Sequence, residues 1–185
     1  MNIKKIFILG GAGYVGSALA SFLLKNNYSV TIYDIFNFGN NLKKDKSLSI
    51  IKGDIRDLNK LKQNMSDHDV VINLACISND ESFVINREIS KEINKDSFIP
   101  LVAMSKKLGI KKFINTSSSE IFAETSKKIT IKSKKKPISP YGKAKLDSFN
   151  ITKFYREKKN LRTYNAIIFN TESFYRNREY LIPKI

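Results

Sequence analysis

The sequence predicts an α/β fold, a doubly wound parallel sheet with helices on both faces. Three observations point to it. Short, continuous apolar runs recur along the chain, as strands buried on both faces do. Longer segments with helical spacing lie between them, so the order is strand, helix, strand throughout. The first strand ends in a cluster of glycines that leads straight into a helical pattern.

The first strand is Ile6-Phe7-Ile8-Leu9. Its lysines and apolar stretch look superficially like a signal peptide, but the apolar core is too short for one. Gly10-Gly11-Ala12-Gly13-Tyr14-Val15-Gly16 follows, then a helical pattern through Ala18, Leu19, Phe22 and Leu23. A second strand, Ser29-Val30-Thr31-Ile32-Tyr33, ends at Asp34. Glycines at a strand end, a helix, a strand and then an acid form the βαβ dinucleotide fingerprint of a Rossmann domain. The glycines bring the backbone close to a pyrophosphate, and the helix N-terminus offers unpaired N–H groups to it. Asp34 accepts hydrogen bonds from both hydroxyls of an adenosine ribose. A 2′-phosphate would meet its carboxylate, so NAD is favoured over NADP.

The alternation then continues. Residues 48–51 read as a third strand, and Asp57 as the cap of a short helix carrying Leu58, Leu61 and Met65. A fourth strand spans 69–75. Helical spacing runs over 88–108, with Gly109 as its stop and Pro100 predicting an irregular turn inside it. Residues 111–116 form a fifth strand, 141–158 a helix with Ala144, Phe149, Ile151 and Phe154 available for packing, and 164–169 a sixth strand.

Composition excludes several classes. The single cysteine, Cys76, rules out a disulfide framework and a Cys-rich zinc site, and points to a reducing cytoplasm. His68 is the only histidine, so no multi-His metal site exists, and its polar surroundings predict an exposed loop residue. No apolar run is long enough to span a membrane. The net charge is +16, but the basic residues are mostly lysines spread along the chain. We read this as compositional drift rather than a nucleic-acid footprint. The densest run, Lys132-Ser133-Lys134-Lys135-Lys136, holds no aromatic to stack a base and reads as a solvated loop.

Two segments carry chemistry. Asn115-Thr116-Ser117-Ser118-Ser119-Glu120 lies at the carboxyl end of the fifth strand, where ligands of open α/β sheets bind. Ser139-Pro140-Tyr141-Gly142-Lys143-Ala144-Lys145 places Tyr141 and Lys145 four apart on one helix face. A lysine ammonium there favours the phenolate and predicts a lowered Tyr141 pKa, suited to a general base.

With these residues in place, the chain resembles the extended short-chain dehydrogenases/reductases, the NAD-dependent epimerase/dehydratase family acting on sugar nucleotides. Gly10-x-x-Gly13-x-x-Gly16, Asp34, Gly53-Asp54-Ile55-Arg56-Asp57, Asn73-Leu74-Ala75, Asn94, the Ser-rich segment, and Tyr141 with Lys145 carry the resemblance. It implies cofactor contacts from Gly10, Gly13, Tyr14, Val15, Gly16, Asp34, Asp54, Ile55, Leu74, Ala75, Asn94, Tyr141 and Lys145. It further implies a catalytic Ser118, Tyr141 and Lys145, with a substrate contact from Asn170. The stretches 117–122, 151–157 and 168–173 resemble GDP-mannose 4,6-dehydratases, in which a glutamate at the position of Glu120 removes the sugar C5 proton. Asn73, Phe122-Ala123 and Thr171 depart from that pattern, and decarboxylases and epimerases also carry such a glutamate.

The expected organisation is a cofactor domain over 1–169 and the start of a truncated substrate region over 170–185. The expected partner is a nucleotide-diphosphate sugar, with no nucleic acid and no membrane. A homodimer, or a partner chain supplying the substrate domain, completes the expectation. A truncated NAD-binding module without activity of its own is the competing reading.

Overall fold

The computed structural model describes residues 3–78, 84–122 and 128–171. Six parallel strands form one sheet: β1 (Lys5–Leu9), β2 (Ser29–Asp34), β3 (Leu48–Lys52), β4 (Val70–Asn73), β5 (Lys112–Ser118) and β6 (Thr163–Ile168). Their spatial order is β3-β2-β1-β4-β5-β6. The chain reverses its winding between β1 and β4, and the carboxyl ends of these two strands border the crevice where such sheets take ligands.

Alternation along the strands makes two cores. Ile6, Ile8, Val30, Ile32, Val70 and Ile72 pack with Ala20 and Leu23 of helix α1 (Tyr14–Lys25) on one face. Phe7, Leu9, Tyr33, Val71 and Phe113 face the other way. There they meet Leu61 and Met65 of α2 (Leu58–Met65), and Phe98, Leu101 and Val102 of a later helix. The buried stripe of α1 is Gly16, Ser17, Ala20 and Leu23. Phe22 is 62% exposed, so the packing face is rotated from the apolar spacing in the sequence. The cause is Gly16, where an added Cβ would lie 2.5 Å from Gly11 Cα, so this face must sit against the glycine turn.

Several local signals act as expected. Asp57 caps α2 by accepting from Lys60 N at 3.0 Å. The 88–108 stretch is broken: α3 (Arg87–Lys91) gives way to a π-helical segment, Glu92–Asp96, before α4 (Phe98–Lys107). Pro100 has no N–H to donate and its ring crowds the carbonyl four residues back, so the irregular turn falls before it. Gly109 (φ +72°) closes α4, its N–H donating to Lys106 O and that of Ile110 to Ser105 O. Helix α5 (Pro140–Lys158) starts with Ser139 accepting from Gly142 N at 3.0 Å and Pro140 in its first turn.

His68 corrects an expectation. It is half-buried, with Nε2 2.8 Å from Thr31 Oγ1 and its ring edge-on to Phe7 at 5.0 Å. The polar flanks Asp67 and Asp69 suggested a loop, but the ring folds back under the sheet. Burial pushes its pKa below the usual 6.5.

Candidate active site

The crevice is built from the β1 turn. Gly10 has φ +70°, and an added Cβ would lie 2.6 Å from Ala75 N, so only glycine lets β1 and β4 end this close together. Gly13 stands at the N-cap of α1, with no side chain capping the helix. By helix geometry the amides of Val15 and Gly16, in the first turn of α1, lie outside the helix's own i→i−4 ladder. An added Cβ at Gly13 would meet only Gly10 O, at 3.5 Å, so the turn leaves open space before the helix. Asp34 braces this turn: Oδ2 accepts from Ala12 N at 3.0 Å and Oδ1 from Phe36 N at 2.8 Å. Each oxygen keeps acceptor capacity for a ribose hydroxyl. These features fit the pyrophosphate and ribose of a dinucleotide.

A cleft continues from the turn, lined by Gly10, Asp34, Asp54, Ile55, Ala75 and Cys76 among others. Asp54 holds Arg56 at 2.7 Å, and Arg56 reaches Glu92 at 2.8 Å. The Arg56 hydrogen bonds keep the Asp54 carboxyl below its usual range. Ile55 is buried. Leu74 and Ala75 follow β4, with Leu74 N donating to Leu9 O.

Asn94 is held by the backbone of Ile77. Its Oδ1 accepts from Ile77 N and its Nδ2 donates to Ile77 O, both at 2.8 Å. These bonds hold the loop that carries Ala75 and Cys76.

The reactive residues converge at the end of β5. Lys145 is buried and donates from Nζ to Thr116 O at 3.0 Å. That ammonium lies 5.6 Å from the Tyr141 ring centroid. Tyr141 hydrogen-bonds Ser118, and Ser118 Oγ also accepts from Glu120 N at 3.2 Å. Glu120 is exposed on a short 3₁₀ turn, Ser119–Ile121. This turn abuts α5: a Cβ on Gly142 would lie 2.6 Å from Glu120 O.

The expected lowering of the Tyr141 pKa is reversed. Burial of the phenol pushes it up, and the neighbouring Cys76, Glu120 and Tyr14 push the same way against the Ser118 hydrogen bond. Lys145 directs its ammonium at a backbone carbonyl rather than at the phenol oxygen. Tyr14 bonds Thr171 Oγ1 at 3.2 Å, tying the glycine turn to the segment after β6. Asn170 is exposed there. Residues 172–185, including most of the expected substrate region, lie outside the described residues, as does Ala123.

Sequence reasoning missed the polar packing that holds α5. Asn115 Nδ2 donates to Ser148 Oγ (3.3 Å) and Asn165 Oδ1 (3.0 Å), Asn165 Nδ2 to Phe149 O (3.1 Å), and Thr163 Oγ1 to Thr152 O (2.6 Å). The signal available was the polar alternation of Asn115 and Ser117 in a central strand. Among the described residues no cluster of His, Cys, Asp and Glu could hold a metal, and no helix is long and apolar enough to cross a membrane.

A family model described as GDP-mannose 4,6 dehydratase matches residues 7–185. The GDP-mannose 4,6-dehydratase of Vibrio cholerae serotype O1 is 29% identical over 204 residues, covering all of this chain and 54% of its own. The UDP-glucose 4-epimerase of Lacticaseibacillus casei is 30% identical over 145 residues, covering 76% of this chain and 44% of its own. DesIV, a dTDP-glucose 4,6-dehydratase of Streptomyces venezuelae crystallised with NAD, superposes with a TM-score of 0.89 at 24% identity, covering 97% of this chain and 60% of that one. The chain thus spans about half the length of the curated relatives it matches. With the fold, the glycine turn and the Ser-Tyr-Lys grouping all in agreement, the chain belongs to the GDP-mannose 4,6-dehydratase family of extended short-chain dehydrogenases/reductases.

Proposed function

We propose that the protein serves NAD-dependent oxidation at C4 of a nucleotide-linked sugar, with 4,6-dehydration as the favoured outcome. The observation that carries this reading is the meeting of Tyr141, Ser118 and Glu120 at one strand end, beside an uncapped helix N-terminus and Asp34. NAD as cofactor is supported by Asp34 and by the NAD of the related dehydratase structure.

When bound, NAD supplies a cationic ring that accepts hydride from C4 and returns it. Asp34 would hold the adenosine ribose, and the first-turn amides of α1 the pyrophosphate. Lys145, held by Thr116 O, would hold the second ribose. Tyr141 rests protonated and shares its hydroxyl with Ser118. To act as the base it first releases its own proton to solvent; the phenolate would then accept the proton of the C4 hydroxyl as hydride leaves that carbon, with Ser118 holding the same oxygen. The 4-keto sugar has an acidified C5–H. Glu120 would remove that proton and pass it to the departing C6 hydroxyl, which leaves as water; with hydride returned to C6 and the Tyr141 proton delivered to C5, the product is a 4-keto-6-deoxy sugar. Return of hydride to C4 on the opposite face gives epimerisation instead, the activity named for the L. casei relative.

Incubation with NAD and GDP-, UDP- and dTDP-hexoses, followed by mass spectrometry, tests the reading. A product lighter by one water supports dehydration, and an isomeric product supports epimerisation. No product from any donor, with NAD bound, leaves the chain as a cofactor-binding module. Tyr141→Phe is expected to abolish turnover while NAD affinity stays within about twofold, since the lost hydroxyl serves proton transfer rather than cofactor binding.

A further inference from the structure

The lysine-rich stretch before α5 is organised in a way that its composition hides. Lys135 is turned inward: Nζ lies 5.5 Å from the Phe122 ring centroid and 5.1 Å from that of Phe149. Phe122 and Lys135 also form an antiparallel backbone bridge. The loop is thereby fastened to the segment that follows Glu120. At its other end, Pro137 Cβ and Ser139 Oγ lie 3.0 and 3.2 Å from where a Gly142 Cβ would stand, one residue beyond Tyr141.

Lys134 and Lys136 flank Lys135 on an extended stretch, so they face away from the side on which it docks. Both are exposed, as are Lys128 and Lys132. Among the described residues none of these four joins an ion pair with a carboxylate. From residue 128 to 146 the chain has seven lysines and no Asp or Glu. Like charges gathered on an anchored loop repel one another, and a multivalent anion relieves that repulsion. The dinucleotide crevice lies elsewhere, at the β1 turn, lined by Asp34 and Asp54. The loop therefore fronts the β5–α5 side of the site, where a second ligand would enter.

We propose that residues 128–136 form a diphosphate-collecting rim, in which Lys132, Lys134 and Lys136 draw the diphosphate of the sugar-nucleotide to the mouth of the site. The proposal rests on the substrate class proposed above and assigns its phosphate recruitment to this loop. Lys135 is the positioning residue that fixes the loop.

The test is amide NMR of the full chain titrated with inorganic pyrophosphate, then with UDP, GDP and uridine. Residues 43–46, an exposed segment with three lysines in the β2–β3 loop, serve as the internal comparison. Pyrophosphate and both nucleotides are expected to shift 128–136 saturably, uridine not, and 43–46 at least tenfold more weakly. The triple variant Lys132→Glu, Lys134→Glu, Lys136→Glu is expected to weaken pyrophosphate binding at least tenfold, the lower end of steering effects. Its NAD-induced shifts at the glycine turn are expected to match the wild type, which shows that it is folded. Equal shifts at 43–46 and 128–136, or an unmoved 128–136, overturn the rim. Rim shifts without turnover of any sugar-nucleotide leave the rim standing and defeat the activity instead.

Discussion

Asp34 is placed to do two things at once, and the two can be separated. Its carboxylate accepts Ala12 N at 3.0 Å and Phe36 N at 2.8 Å, closing the glycine turn onto the loop after β2. Hydrogen bonds to a charged acceptor contribute about 1.5–3 kcal/mol each. Asp34→Ala removes both, but the site is half-exposed and water re-solvates part of the freed backbone. A net loss of about 2–3 kcal/mol follows. For a domain of this size that lowers the melting temperature by roughly 5–10 °C. Asp34→Asn keeps one acceptor and turns an amide donor toward the other N–H, so it is expected to lose about half as much. Both variants lose the acceptor pair for the ribose hydroxyls, and NAD affinity is expected to fall at least tenfold in each. Scanning calorimetry without cofactor and titration calorimetry with NAD separate the effects. A melting temperature unchanged in Asp34→Ala, with NAD affinity reduced, refutes the bracing role. Unchanged NAD affinity in both variants refutes the ribose contact.

Two further predictions concern pH and geometry. His68 has its pKa lowered by burial, so the unfolded chain binds its proton first as pH falls below 6.5. Stability is fully present above that value and declines as pH drops toward the folded-state pKa. Urea midpoints at pH 7.5 and pH 5.5 should differ, with the lower value at pH 5.5 and the gap reduced in His68→Gln; coincident midpoints reject the account. Gly142→Ala pushes a Cβ to 2.6 Å from Glu120 O, a backbone atom with little room to yield. It should cost about 1–3 kcal/mol through overpacking, offset in part by better helix propensity. The same shift of Tyr141 from Ser118 should lower turnover by about two orders of magnitude; a variant at least as active and as stable as wild type rejects the close packing.

Much of the fold was legible because its signals are local. Asp57, Gly109 and Pro100 each act within a few residues, through a cap, a left-handed closure and a missing donor. The glycine turn and Asp34 were readable because the βαβ unit brings them together by short-range geometry. What escaped depends on distant neighbours. His68 sits between two aspartates and reads as surface until Thr31 and Phe7 are in place. Lys135 looks like its neighbours until Phe122 and Phe149 flank it. The raised Tyr141 pKa follows first from burial and then from the neighbouring Cys76, Glu120 and Tyr14, and pairwise spacing carries no information about burial. Asn94 lies in a π-helical segment whose phase helical spacing does not predict.

The polar seam under α5 has a consequence for how the site tolerates change. A helix held by greasy contacts can slide or roll by small amounts and find a nearby packing of similar energy. Here Ser148, Phe149 and Thr152 must each meet a fixed partner on β5 or β6. Moving the helix one residue along its axis would orphan all three pairings together, two of them buried, where a lost partner is expensive, and one part-buried. Tyr141 and Lys145 thus ride on a keyed shaft rather than a lubricated one. Drift in the apolar residues of α5 should leave their placement intact, whereas exchanging a single hydroxyl or amide beneath it would change where the phenol points.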